Sequence, residues 1–287
     1  MIVLKKIYTL IVVVFTIIVL TSCSAKFNER QQLTQNINKG NITAVREYFT
    51  KNPEEINKPI GSNFESEFGV SSSYPLHQAC ITQNLDMIKM LIEEFNADVN
   101  LIDDLQYTPL IAVFNYHFNR EIFSVIDYLI NKGADIYYVR NEYSVIDYIA
   151  NRSYINDKTS ETKAILLIDD LYKKSVMISK NSYVGSMRWL NLDIVLYILQ
   201  TTNINLTDED VTNGLYECIE TIHRKNTDND EENDIIIDET KLEKFELILK
   251  ELSKHNINLQ YVDDDEITMK EMLDEIQLYE LRDLIYK

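Results

Sequence analysis

Glycine is scarce in this chain. There are six in 287 residues, beside four prolines, three cysteines, four histidines and one tryptophan. So few glycines leave little from which to build a phosphate-cradling loop, and no Gly-x-Ser-x-Gly, P-loop or dinucleotide-binding glycine pattern occurs. The histidines, His77, His117, His223 and His255, form neither a His-x-x-x-His pair nor a His/Cys cluster of the kind zinc needs. No catalytic constellation is assembled, so the sequence argues for a protein that is not an enzyme and needs no cofactor. Cys80 and Cys218 lie far apart in apolar helical settings, which suits buried free thiols and excludes a disulfide scaffold. Positive charge is short as well, with 28 Lys and Arg against 46 Asp and Glu, a net charge of −18. That balance argues against nucleic acid and against electrostatic adhesion to anionic lipid, and it favours a basic protein partner.

One long apolar run is present. Lys5 and Lys6 precede Ile7 to Leu20, 14 almost wholly apolar residues. As a helix they would reach about 21 Å, short of the ~30 Å hydrocarbon core, so a signal-peptide core fits better than a permanent span. The following Leu20-Thr21-Ser22-Cys23 resembles the lipobox of bacterial lipoproteins. That resemblance implies cleavage before Cys23 and an acyl lipid on its thiol. It gives a signal peptide over 1–22, a tether over 23–28, and a body held to the bilayer of the cell envelope, facing periplasm or exterior.

Beyond the leader, one phrase keeps returning. Asp98-Val99-Asn100-Leu101 recurs as Asn203-Ile204-Asn205-Leu206 and as Asn256-Ile257-Asn258-Leu259, with looser copies at Glu55-Ile56-Asn57 and Asp135-Ile136-Tyr137. Asn100 and Tyr137 are 37 residues apart, and Tyr137 and Asn205 are 68 apart, twice 34. Such a period marks stacked supersecondary units, none able to bury its apolar face alone. Helical spacing recurs between the copies, as in Ile42, Val45, Tyr48 and Phe49, or Leu85, Ile88, Leu91 and Ile92.

Residues 72–105 and 106–140 are the clearest units. Thr108-Pro109-Leu110 opens one, Ile126, Leu129 and Ile130 lie on its outgoing helix, and Gly133-Ala134-Asp135 closes it; Tyr74-Pro75-Leu76-His77 opens the other. These motifs resemble ankyrin repeats. The resemblance implies an all-α, ankyrin-type solenoid of six to seven units over residues 29–287, with degenerate outer units, an acidic insert at 226–239 and a C-terminal cap at 261–287. It places His77 where ankyrin repeats hydrogen-bond their loop. It also implies a protein-binding scaffold that uses hairpin tips, here Leu101 to Gln106, Tyr137 to Glu142, Leu206 to Asp210 and Tyr261 to Asp264, together with a concave face. Where ankyrin repeats favour glycine, two places before the Thr, this chain has Ser72, Gln106 and Glu142.

Leu101, Asp103, Tyr137, Tyr138 and Arg140 are the candidate partner-binding residues, because Tyr and Arg dominate binding hot spots. An immunity or antitoxin role, blocking a toxin at the envelope, is an alternative of the same kind. No metal site is favoured. Asp228, Asp230, Glu232, Asp234 and Glu239 occupy relative positions 1, 3, 5, 7 and 12, a partial resemblance to a calcium-binding EF-hand loop that allows a calcium-responsive envelope protein as a further reading. Asn233 stands in place of the usual glycine.

Overall fold

The computed structural model describes residues 28–60, 65–66, 69–70, 74–115, 122–154, 157–227, 237–254, 269–275 and 277–285. They are predominantly helical and divide into two compact units, with the sequence boundary between Ala134 and Asp135. The leader with Cys23, the stretch 228–236 and the segment 255–268 lie outside the described residues.

The first unit contains three helix pairs in sequence order. They are α1 (28–38) with α2 (Ile42–Lys51), α3 (Pro75–Ile81) with α4 (Leu85–Phe95), and α5 (Pro109–Ala112) with α6 (Ile122–Asn131). Helix α3 packs on α5, and α2 on α4, so first helices form one row and second helices another. Leu33, Ile37, Val45, Phe49, Met87, Ile88 and Leu91 are buried between the rows. Between α2 and α3 lies a short antiparallel hairpin, Glu65–Ser66 against Gly69–Val70.

The second unit continues the same plan in four pairs. These are α7 (Val145–Ala150) with α8 (Lys158–Lys173), α9 (Lys180–Arg188) with α10 (Leu192–Thr201), α11 (Asp208–Thr227) with α12 (Glu239–Ser253), and α13 (Met269–Glu275) with α14 (Tyr279–Ile285). The inner row runs α7, α9, α11, α13 and the outer row α8, α10, α12, α14. Tyr183, Met187, Val195, Leu215, Ile219 and Phe245 fill the space between the rows. Gly214 on α11 is a packing requirement, because a Cβ there would overlap ring carbon Cε1 of Tyr183.

The scarcity of glycine has a direct structural consequence. Among the described residues seven helix ends close with a left-handed residue, and only two of these are glycine, Gly40 and Gly133; the others are Gln83, Asn96, Ser175, Leu190 and Gln277. In six of them the residue after the left-handed one donates its N–H five residues back, as Asn84 does to Ala79, Ala134 to Leu129, and Asn191 to Ser186; after Asn96 the Ala97 N–H reaches six back, to Leu91. This is the Schellman closure, which satisfies the orphan carbonyls of a helix end. Non-glycine residues at such φ cost roughly 1–2 kcal/mol each, and the packing around them supplies the compensation.

Helix starts are built to match. Pro75 and Pro109 occupy first helical positions, where the missing N–H costs nothing. Asn41, Asn84, Thr108 and Asp157 each accept a backbone N–H of the first turn. Ion pairs tie outer helices together, Arg46 to Glu94 and Lys132 to Glu93 in the first unit, and Asp193 to both Lys158 and Lys244 in the second.

Candidate protein-binding face

The first unit carries one well-formed finger after α4. Asp98 Oδ1 accepts the N–H of Asn100, and Asn100 Nδ2 donates to the Gly133 carbonyl 3.0 Å away. One repeat earlier, Asn57 Oδ1 accepts the N–H of Asp98. In the first unit the recurrent Asn of the sequence phrase, at 57 and at 100, therefore ties one turn to the next. At the tip Asp103 is structural, since its Oδ1 accepts the N–H groups of Leu105 and Tyr107. Leu101 is half-buried, whereas Ile102 and Leu105, which the sequence did not single out, are exposed. His77 reaches the base of the finger, its Nε2 2.9 Å from the Tyr107 carbonyl. Burial holds its pKa below the usual histidine value.

The second unit opens with the other finger. Asp135 Oδ1 accepts the N–H of Tyr137, repeating the Asp98 turn. Arg140 and Tyr143 exchange backbone hydrogen bonds of 3.0 and 2.9 Å around Asn141 and Glu142, both at positive φ. That is the primed hairpin turn, whose twist suits a two-residue connection. Glu142 and Gln106 hold the left-handed backbone for which ankyrin repeats use glycine. Tyr137 is 60% exposed although its hydroxyl donates to the Lys174 carbonyl, and Val139 beside it is 42% exposed. Tyr138 and Arg140 are half-buried, and Arg140 Nη1 donates to the Tyr148 hydroxyl at 3.3 Å.

No comparable finger follows α8 or α10. Only three residues separate Ser175, which closes α8, from Ser179, which caps α9. The segment 206–210, read from sequence as a tip, instead enters α11, whose first residue is Asp208. Thr207 caps this start reciprocally with Asp210, its N–H and hydroxyl donating to Asp210 Oδ2 while its Oγ1 accepts the Asp210 N–H. The acidic first turn of α11 needs no tip, because carboxylates are favoured at a helix N-terminus.

With no finger over them, the inner helices lie open. A groove of about 370 Å³ runs between α9 and α11, lined by Lys180, Asn181 and Val184 from one and by Asp210, Asn213, Tyr216 and Glu217 from the other. Two ion pairs bound it. Lys180 Nζ is 3.2 Å from Asp210, and the Arg188 guanidinium grips Glu217 through two hydrogen bonds of 2.8 and 2.7 Å. Asn181 also donates to the Glu142 carbonyl, which seats the finger at one end of the groove. Half-buried Trp189 next to Arg188 donates its indole N–H to Asn151. The sequence analysis missed the groove, although its signal was present. Asp210, Asn213, Tyr216 and Glu217 fall at i, i+3, i+6 and i+7, the polar stripe of a helix whose other side is Val211, Leu215 and Cys218.

Between the starts of α7 and α9 lies a polar centre, also unforeseen. Asp147, fully buried, accepts hydrogen bonds from the Ser144 N–H (2.7 Å), the Ser179 hydroxyl (2.8 Å) and the Ser182 hydroxyl (2.5 Å). Three residues after its N-cap, Asp147 occupies the place that His77 has in α3. Cys80 and Cys218 are buried thiols whose pKa burial raises. Among the described residues no group of three His, Cys, Asp or Glu is placed to hold a metal, and no helix is long and apolar enough to cross a membrane. Of the calcium candidates, Glu239 begins α12; Asp228, Asp230, Glu232 and Asp234 lie outside the described residues.

Stacked helix pairs, two fingers and an open inner face define a helical-repeat interaction module. Residues 33–140 match the family model for ankyrin repeats, in three copies. Over 98 residues, 34% of this chain, the sequence is 33% identical to alpha-latrocrustotoxin-Lt1a of Latrodectus tredecimguttatus, and the match spans 6% of that toxin's length. Among solved structures, the human ASB11 ankyrin repeat domain aligns with a TM-score of 0.49 at 12% identity, covering 86% of this chain and 96% of that one. A chain from the complex of the predatory endopeptidase Bd0816 of Bdellovibrio bacteriovorus with immunity protein Bd3460 aligns at 0.39 and 14% identity, covering 88% and 96%. An ankyrin repeat domain from Acinetobacter baumannii AYE aligns at 0.37 and 16%, covering 89% and 96%. The described residues are predominantly helical, residues 33–140 carry the three matched ankyrin repeats, and repeats of that kind imply protein–protein interaction.

Proposed function

We propose that the protein is a membrane-tethered scaffold that captures a partner protein. The capturing surface is the finger at 135–143 with the inner helices beside it, and the tether is an acyl chain on Cys23. One observation carries the binding half. The second unit presents exposed Tyr137 and Val139 on a hairpin anchored by its own backbone hydrogen bonds, at the mouth of an uncovered groove. Rigid presentation of aromatic and aliphatic anchors lowers the ordering cost of association. The tether rests on the order Lys5-Lys6, apolar run, Leu20-Thr21-Ser22-Cys23 in the sequence.

Crosslinking in the intact envelope followed by pull-down tests the first half. A partner band present with the native chain should weaken strongly when Tyr137 and Val139 are both alanine; an unchanged band refutes the finger as the contact. Labelled palmitate tests the second. The native chain should incorporate it and sediment with membranes, and Cys23→Ala should do neither. Equal labelling of the two chains would discard the tether.

A further inference from the structure

The α9–α11 groove carries more negative charge than its ion pairs use. Lys180 is paired with Asp210 and also feels Glu209 and Glu142. Arg188 is paired with Glu217 and also feels Glu220. Counting Arg140 on the finger, three cations stand among five further or paired carboxylates on this surface. Both groove cations are held in their charged form by these neighbours, their pKa values raised above normal. The further carboxylates, Glu142, Glu209 and Glu220, are not the direct partners of Lys180 or Arg188, although Glu209 also sits in the favourable first turn of α11. Between the charged rims lie Val184 and Tyr216, half-buried, and the amides of Asn181 and Asn213.

We propose that this groove takes an extended, Lys- or Arg-bearing segment of the partner protein. The inference rests on the reading of the second unit as the binding part and names the chemistry it recognises. From Lys180 to Arg188 is eight residues of helix, about 12 Å, the length of three to four residues of extended chain. Two side chains of such a segment face the groove. Their aliphatic stems lie on Val184 and Tyr216 while their charged heads reach the surplus carboxylates, as amphipathic cations do. The exposed Asn213 amide is placed to meet the backbone of the segment. An acidic segment would meet like charge at both rims and be rejected.

The test uses the full chain in detergent with two labelled probes, one peptide alternating Arg with Ser and one alternating Glu with Ser. Polarisation reports affinity, and emission of Trp189, the single tryptophan, reports arrival beside Arg188. The Arg peptide should bind, shift the tryptophan emission and weaken with salt; the Glu peptide should do none of these. Reversing Glu142, Glu209 and Glu220 to Lys should weaken the Arg peptide about tenfold or more. Reversing Glu239, Glu243 and Glu246 on outer helix α12 changes net charge equally and should leave affinity nearly unchanged. Glu→Gln changes at the same three groove positions give a milder set should the reversals perturb folding, and should weaken binding in the same direction. Equal loss from the groove and outer sets, equal binding of both peptides, or no binding of either overturns the proposal. The native partner separates this failure from that of the broader reading. If Tyr137→Ala with Val139→Ala releases it and the groove set does not, only the groove inference falls; if neither releases it, both fall.

Discussion

Asp147 offers the sharpest test of how the second unit is held together. Its carboxylate lies at the start of α7 and also touches the start of α9, so two helix N-termini converge on one buried acceptor. Replacing it by alanine removes three good hydrogen bonds and leaves the Ser144 N–H and the Ser182 hydroxyl, both buried, without their partner. Each such orphan costs about 1–3 kcal/mol, and hydrogen bonds to a charged group contribute about 1.5–3 kcal/mol each. After allowance for the desolvation that the carboxylate itself no longer suffers, Asp147→Ala should destabilise by ~3–5 kcal/mol. Asparagine is a different case. Its oxygen can still accept from the Ser144 N–H, and the two serine hydroxyls can turn to accept from its NH2. Asp147→Asn should therefore lose only the charge assistance, ~1–2 kcal/mol. At about 2–4 °C per kcal/mol for a unit of this size, the midpoint should fall by roughly 6–20 °C for alanine and 2–8 °C for asparagine. Thermal and urea unfolding followed by far-UV circular dichroism measure both. Equal losses for the two variants, or a loss under about 1 kcal/mol for alanine, would show that the three-donor cradle does not govern this junction.

Gln106→Gly and Glu142→Gly each relieve a left-handed backbone and should stabilise by roughly 0.5–1 kcal/mol once the larger unfolded-state entropy of glycine is subtracted; urea midpoints check this. Gly214→Ala pushes a methyl into the Tyr183 ring and should cost ~1–3 kcal/mol, whereas alanine at an exposed helical position such as Glu246 should be nearly neutral in the same assay. His77 is kept neutral by burial, with its pKa below the unfolded value of about 6.5. Its stabilising contribution is present above pH ~6.5 and fades as pH falls from there toward the folded value, because the unfolded chain takes up the proton first. Stability measured from pH 7 to 5 should therefore decline more steeply for the native chain than for His77→Gln, and parallel curves would contradict this. Cys80 and Cys218 should resist iodoacetamide in the native protein and react on unfolding, since burial suppresses both thiolates.

The sequence made the helix pairs legible because their apolar spacing and start signals are local. Thr108-Pro109-Leu110 caps and opens α5, Asn84 caps α4, and Gly40 ends α1 by physics that needs no tertiary context. The missing fingers were not legible from the recurrent Asn-Ile-Asn-Leu phrase. At 203–206 that phrase leads within two residues into α11 because Thr207 and Asp210 form a reciprocal cap, a stronger local signal than the repeat phase. The candidate residues separated for a similar reason. Asp103 accepts hydrogen bonds within its own turn and Arg140 reaches Tyr148, contacts that residue type alone does not reveal. The groove required knowing that α9 and α11 are neighbours in the inner row, a relation between residues about 30 positions apart that no window of sequence contains.

The slot three residues after each N-cap shows how linker length and side-chain chemistry go together. In α3 the slot is His77, and the chain between Asn96 and Thr108 is long enough to form a finger whose carbonyl, that of Tyr107, meets the imidazole. A donor in the slot suits that arrangement. In α7 the slot is Asp147, and the chain between Ser175 and Ser179 is too short for a finger, so the next helix start itself arrives at the slot. A helix start offers N–H and hydroxyl donors, so only an acceptor suits it. Asp147→His should then fail as badly as Asp147→Ala, since one imidazole nitrogen cannot accept from three donors, and its protonated form can accept from none. A histidine variant as stable as the asparagine one, by the same unfolding measurements, would break the proposed match between slot chemistry and linker length.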